Sequence, residues 1–369
     1  MPYQHEAAAS IGGYCIFGTN MHTSFRILLV SLGLFCFHPL LNAGSRPSKM
    51  VHIPTCQQLE LNQTITYRPA DTAFVMVTNR PFQTQNPCLG ADACDTTQLT
   101  YLYIVQRGGK RLIRQYSHLD ELLHSLPRNH WVIYTEGMGK TFSGNIERGL
   151  LMQQMYHVNL LLFDYASIHP QLNIWKNYQF SVNNSFQSYR QYISVLQEIA
   201  RIQQTTDFFS KLRLTLFFHS MGNIMLREIL RHHSEETSSF PKVNNLILNA
   251  ACVPREQHSK WLSHVSFAER IYVNYNPSDK KLKGAWFMSL NRKLGCKPKP
   301  LKSSNVNYIN FKPAVAQTHN YFLNIPERSF RLSSDLYSYF STILNGHDFP
   351  LSKLKQNPHG GYYFVYQKN

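Results

Sequence analysis

The chain has 369 residues, enough for one large domain or two ordinary ones, and 43% hydrophobic content excludes wholesale disorder. Lys and Arg outnumber Asp and Glu by 37 to 21, a formal net charge of +16, which draws anionic partners such as a membrane or nucleic acid. Short basic clusters at Lys280-Lys281-Leu282-Lys283 and from Arg292 to Lys299 come without a long basic arm or a nucleic-acid motif. An ordinary solvated basic face or an anionic membrane surface is expected, and nucleic acid is not.

Near the start, Arg26 precedes the apolar run Ile27 to Phe37, followed by His38-Pro39 and Leu41-Asn42-Ala43-Gly44. The run is too short to span a bilayer comfortably and ends near a small residue, as a secretory signal peptide does. Cleavage after Ala43 and a secreted, periplasmic or envelope location are expected, with an uncleaved anchor or a core helix as alternatives. Translation from Met21 would make residues 1–20 an upstream extension. Five cysteines then remain, Cys56, Cys88, Cys94, Cys252 and Cys296. Cys88 and Cys94 flank a short loop that a disulfide could staple in an oxidising compartment. The spacings match no zinc framework, and His232 and His233 point different ways on a helix, so no metal site or cofactor is expected.

Residues 44–70 read as a polar linker. Two strands follow, Ala73–Thr78 and Thr100–Val105, rich in β-branched and aromatic residues. From residue 130 apolar runs alternate with helical patterns, the layout of a parallel sheet flanked by helices. The runs are His130–Tyr134, Asn159–Phe163, Leu214–Phe218, Leu246–Leu248, Arg270–Tyr275 and Val306–Phe311, and their uninterrupted hydrophobicity suits strands buried on both faces. Helices are predicted over 144–156, 186–204, 222–233, 254–263 and 320–344. No linker divides residues 71–369, which read as one domain. Residues 167–185 follow a strand with little periodicity. Their aromatics Trp175, Tyr178 and Phe180 are candidates to bind substrate in a lid, or to anchor a plain surface loop.

The chemistry concentrates at Leu214-Thr215-Leu216-Phe217-Phe218-His219-Ser220-Met221-Gly222-Asn223, an apolar strand running into a serine and then a helix. It reads as a nucleophile elbow, whose usual form is G-x-S-x-G. Gly222 supplies the second glycine, while Phe218 stands at the first. A serine hydroxyl needs a histidine to take its proton and a carboxylate to orient that histidine. In chain order, Asp279 follows the Arg270–Tyr275 strand and His319 follows the Val306–Phe311 strand, both where such a fold places the acid and the base. His347 is a fallback base. The oxyanion of acyl transfer needs preset donors. These are expected from Met221 N–H and from Met138 N–H in the loop Tyr134-Thr135-Glu136-Gly137-Met138-Gly139-Lys140.

These segments, with Val75–Arg80, Leu246–Val253, Tyr275–Asp279 and His319–Phe322, resemble the α/β-hydrolase superfamily. Within it they are similar to bacterial, often exported, hydrolase-like proteins of unknown function that carry a His-Ser-Met-Gly elbow. The resemblance covers roughly residues 71–345 and implies an α/β-hydrolase fold with Ser220 as nucleophile, Asp279 as acid and His319 as base. Three positions depart from that pattern. Glu136 stands where the family commonly has histidine, beside the developing oxyanion, and Phe218 is expected to crowd the elbow. Cys252, a buried packing residue by its context, stands where an acid could come from the preceding strand.

Two functions follow. The first is a serine hydrolase of the esterase or lipase type, acting on a small-molecule or lipid-like acyl substrate through an acyl-enzyme on Ser220. The second, prompted by Glu136, Phe218 and Cys252, is an inactive fold of the same kind used as a binding or effector module.

Overall fold

In a computed structural model of the chain, residues 59–82, 94–95, 97–127, 129–207, 212–298, 305–358 and 360–364 are described. All belong to the compact unit Val51–Asn369. The expected signal segment and Cys88 lie outside the described residues.

A 12-stranded sheet organises them. Its strands are β1 (Leu59–Leu61), β2 (Thr72–Thr78), β3 (Thr100–Arg107), β4 (Lys110–Tyr116), β5 (Trp131–Thr135), β6 (Asn159–Asp164), β7 (Leu214–His219), β8 (Val243–Asn249), β9 (Ala268–Tyr275), β10 (Val306–Asn310), β11 (Lys355–Gln356) and β12 (Tyr362–Tyr363). The spatial order is β1-β4-β3-β2-β6-β5-β7-β8-β9-β10-β12-β11. From β2 through β10 every neighbouring pair is parallel. All residues of β5 and β7 are buried, as strands covered by helices on both faces require.

The helices are α1 (Leu119–His124), α2 (Phe142–Tyr156), α3 (Ile174–Thr205), α4 (Asn223–His232), α5 (His258–Leu262), α6 (Lys280–Ser289), α7 (Lys312–Val315) and α8 (Ser334–Leu344). Among the described residues no helix is long and apolar enough to cross a membrane.

Several boundaries differ from the sequence expectation, each for a physical reason. The sheet begins at β1, inside the expected linker, where Leu59 to Leu61 pair with Arg111 to Ile113. An antiparallel strand, β4, joins β3 through Gly108-Gly109, both at positive φ, the conformation a tight two-residue hairpin demands. The expected lid is only partly irregular. Asn173 caps a helix by accepting from Lys176 N at 3.0 Å, so α3 starts at Ile174 rather than at 186. Its early buried stripe is polar, Asn177, Ser181, Asn184, Ser185 and Ser188, which hides the hydrophobic period. The helix expected over 320–344 is confined to α8, and α5 covers only part of 254–263.

The core is one continuous cluster across both faces of the sheet. What matters for function is a topological switch. From β5 the chain crosses to β6 on one side, and β7 lies on the other side of β5. The loops leaving β5 and β7 therefore diverge from adjacent strand ends and open a crevice between them, the usual ligand position in such sheets.

Candidate active site

Ser220 stands at that switch point. It adopts φ +52°, a left-handed conformation a side chain enters at a cost of roughly 1–3 kcal/mol, between β7 and a single turn of 3-10 helix leading into α4. The strained turn is clamped from two sides. Asn223 Nδ2 donates to Phe218 O at 3.1 Å and to Ser220 O at 3.0 Å, and Cys252 N donates to Ser220 O at 3.0 Å. Gly222 is needed because an added Cβ would lie 2.6 Å from Thr135 O. Phe218 does not crowd the serine turn as expected. Strand alternation sends its ring to the α3 side, edge-on to Tyr192 at 5.4 Å, while Phe217 and His219 face Phe322 on the other side.

The loop after β5 lies directly on this turn. A Cβ on Gly137 would sit 2.6 Å from Ser220 Cβ and 2.7 Å from Met221 N. As second residue of its turn, Met221 has no carbonyl within the helix for its N–H to reach. Met138, half-buried, follows Gly137. Buried Arg80 fixes the far end of the loop: its Nη2 donates to Lys140 O at 3.0 Å and its Nε pairs with Asp164 at 2.8 Å. Gly139 N and Lys140 N both donate to Ser167, at its carbonyl and hydroxyl.

Asp279 and His319 meet. His319 Nδ1 lies 2.6 Å from Asp279 Oδ2, leaving Nε2 as the ring nitrogen for other work. The other oxygen of Asp279, Oδ1, caps α6 by accepting from Lys281 N and Leu282 N, so the carboxylate is held by the helix while it orients the imidazole. Asp279 is fully buried, and Ser220 and His319 keep 9% and 7% of their surface exposed. Ser220 Oγ is not hydrogen-bonded among the described residues. The neighbours of serine and histidine are joined instead: His219 Nε2 lies 2.8 Å from Asn320 Oδ1, and the His219 and His319 rings are 4.8 Å apart.

His219 heads a buried polar ladder that sequence reading missed. Asn249 Nδ2 faces His219 Nδ1 at 3.3 Å, Asn274 Nδ2 donates to Asn249 Oδ1 at 3.2 Å, and Tyr339 OH donates to Asn274 Oδ1 at 2.7 Å. His219, Asn249 and Asn274 occupy one register across β7, β8 and β9. The sequence signal was an asparagine at the end of one apolar strand, Asn249, and at the penultimate position of the next, Asn274. Burial pushes the His219 imidazole down to about 3, with His319 and Arg148 adding to this against the pull of Glu136, so it is neutral at physiological pH.

Glu136 is ionised and paired. Burial alone would raise its carboxyl. The Arg148 guanidinium, with help from His219, Lys140 and the Gly137 N–H, outweighs burial and holds it down to about 2. Oε2 lies 2.9 Å from Arg148 Nε, and Oε1 accepts from Gly137 N at 2.9 Å. The carboxylate's charge is thus matched by a cation from α2. Around it burial, Arg148, Arg328 and Lys281 depress the Lys140 ammonium to about 8, against the pull of Glu136. Lys140, Arg148, Lys281 and Arg328 thus share one electrostatic neighbourhood with Glu136.

The remaining candidates lie elsewhere. Phe180 packs edge-on against His169 at 5.9 Å, Tyr178 OH receives Lys293 Nζ at 3.3 Å, and Trp175 is half exposed, near the Phe287 ring at 6.1 Å. None of the three makes a hydrogen bond or ring contact with Ser220, Asp279 or His319 among the described residues. His347 is excluded as a base by position. Its carbonyl accepts from Asn245 near the start of β8, and its ring meets His130 just before β5, at the opposite edge of the sheet. Burial raises the Cys252 thiol to about 11, an inert packing residue. Cys94 is a free thiol that takes a hydrogen bond from Ser188 Oγ at 3.7 Å.

No curated protein matches this sequence. Residues 114–315 match a family described as an alpha/beta hydrolase of unknown function (DUF900), a span that holds Glu136, Ser220 and Asp279 and ends four residues before His319. With its mostly parallel sheet and flanking helices, the chain belongs to this family of α/β hydrolases.

Proposed function

We propose that this protein is a serine hydrolase that cleaves a carboxylic ester or related acyl bond through an acyl-enzyme on Ser220. The observation that carries the reading is the 2.6 Å contact of His319 Nδ1 with the helix-capping Asp279, beside a serine on a left-handed turn. In the proposed reaction Ser220 Oγ attacks the acyl carbon as His319 Nε2 takes its proton, and Asp279 stabilises the imidazolium. The oxyanion is received by Met221 N–H and Met138 N–H. His319 returns the proton to the departing alcohol, and water, activated by the same histidine, releases the acid. No cofactor enters these steps. The cations Lys140, Arg148, Lys281 and Arg328, gathered around Glu136 in the neighbourhood of this loop, favour acyl substrates that carry negative charge.

The test is pre-steady-state hydrolysis of a p-nitrophenyl ester. A burst of p-nitrophenol matching the enzyme concentration, absent in Ser220→Ala, is expected; folded protein with neither burst nor turnover contradicts the reading. A second reading, a binding or effector module without catalysis, is favoured by one observation: Glu136 Oε1 already occupies the Gly137 N–H beside the serine. It predicts no burst with any ester.

A further inference from the structure

Five of the seven large exposed hydrophobic side chains among the described residues belong to the start of α3 and the end of α6, the other two being Phe186 and Tyr337. Ile174 (61% exposed) and Trp175 (50%) begin α3, and Trp286 (44%), Phe287 (70%) and Leu290 (83%) end α6. The Trp175 and Phe287 rings lie 6.1 Å apart across the two helices, so the start of α3 and the end of α6 present their exposed apolar side chains next to one another. Scattered surface hydrophobics are ordinary, but a contiguous aromatic and aliphatic patch marks an interaction site.

The patch stands at the edge of the sheet that carries Ser220. Asp279 caps α6, and the chain after that helix returns to the same edge: Leu294 N donates to Val253 O, Gly295 N to Ala251 O, and Asn276 N to Gly295 O. α3 begins just after the loop that leaves β6 at that edge.

Its surroundings are rich in basic residues. Lys176 follows Trp175, Lys280, Lys281 and Lys283 share α6, and the Arg292 guanidinium lies 5.8 Å from the Trp286 ring centre. Between Asp164 and Glu198 there is no Asp or Glu, nor between Asp279 and Glu327, and Asp279 is itself fully buried. Glu256, on the segment that pairs with Arg292, is itself matched by Arg255 at 3.3 Å, so among the described residues the cations beside the patch outnumber the acids. Tryptophan and phenylalanine beside lysine and arginine match the interface of an anionic bilayer, where rings settle at headgroup level and cations meet phosphates.

We infer that the Ile174–Trp175 and Trp286–Leu290 patch docks the protein on an anionic lipid surface with the Ser220 crevice turned toward the headgroups. This deepens the proposed hydrolase by assigning it a substrate presented at that surface. It rests on that reading only for what happens after docking.

Vesicle binding of the full chain tests it, in a Ser220→Ala background so that lipid is not consumed. The four tryptophans make the readout specific, since Trp131 and Trp261 are buried and Trp175 and Trp286 lie in the patch. Vesicles with one third phosphatidylglycerol should bind about tenfold or more tightly than pure phosphatidylcholine, and brominated lipid should quench tryptophan fluorescence. Phe287→Ser with Leu290→Ser, at sites too exposed to affect folding, should weaken binding about tenfold and abolish the quenching. Lys283→Glu with Arg292→Glu should remove the preference for anionic lipid. No binding, no lipid-charge preference, or binding that the Phe287/Leu290 pair leaves unchanged overturns the inference. The last result would place attachment in another segment, and association of two copies through the patch would leave the tryptophans unquenched by lipid. Burst kinetics on a water-soluble ester are unaffected by these outcomes, so docking and hydrolysis fail separately.

Discussion

His219 Nε2 donates to Asn320 Oδ1 at 2.8 Å, so the residue before the serine is bonded to the residue after the histidine. His319 lies on an irregular segment following β10, and this bond, with the buried ladder behind it, ties that segment to the strand that leads into Ser220. Asn320→Ala leaves a buried imidazole N–H unsatisfied, at a cost of about 1–3 kcal/mol in urea unfolding. Because the base then loses its tether, kcat should fall by up to about 100-fold with KM little changed. A variant that is destabilised yet turns over normally would show that the tether does not serve the base.

Close approach of the loop after β5 to the Ser220 turn depends on two glycines. Gly137→Ala must push against Ser220 Cβ and Met221 N, and Gly222→Ala against Thr135 O. Each should cost about 1–3 kcal/mol of stability. Gly137→Ala, which moves the loop carrying Met138, should also lower kcat about 100-fold in the surviving protein. Gly284 on α6 has nothing within 4 Å of an added Cβ, so Gly284→Ala should be neutral or stabilise by up to about 1 kcal/mol.

Acid should unfold the protein through His219 and Glu136. The His219 value is about 3 when folded against an ordinary 6.5, so below pH 6.5 the unfolded chain binds a proton that the folded one refuses. Its contribution is complete above pH 6.5 and is lost as pH falls toward 3, by at most about 1.4 kcal/mol per pH unit. Glu136, at about 2 against 4.5, adds a second loss from pH 4.5 downward. In denaturant titrations between pH 7 and 4, His219→Asn should flatten the upper part of this slope. An unchanged slope would mean that His219 is protonated in the fold.

Removing one member of the buried Glu136–Arg148 pair should do more harm than removing both. Glu136→Gln strands a guanidinium that is almost fully buried, with an expected loss of about 3–5 kcal/mol. Adding Arg148→Met should recover part of that loss, which a double-mutant cycle reads directly.

Affinity for an anionic ester should weaken with alkali. Lys140 loses its proton near pH 8, so KM for such a substrate should rise through that pH while KM for a neutral ester does not. Lys140→Gln should abolish the difference.

Much of the fold was legible because its middle strands are unbroken apolar runs. The serine turn, Asp279 and His319 follow three of them in order. What stayed hidden was what pattern cannot carry. The first half of α3 buries asparagine and serine, so it lacks an apolar period, and α6 buries only Leu282 and Ala285 beneath a run of lysines. The β3–β4 hairpin was announced by Gly108-Gly109 and overlooked because β4 alternates with Lys110, Arg111 and Arg114. At the site, Glu136 looked hostile to an oxyanion because its partner, Arg148, comes from α2, twelve residues later. Asn249 follows one apolar run and Asn274 lies within the next, and only the register of β7, β8 and β9 makes them one ladder with His219.

The central claim is that Ser220 is an activated nucleophile, and covalent capture reads that most directly. Folded protein treated with a fluorophosphonate probe should gain one adduct, located by peptide mass on Ser220, with labelling lost in Ser220→Ala and slowed at least about 100-fold in His319→Ala. Folded protein that takes up no probe, or labels equally after Ser220→Ala, would contradict the account.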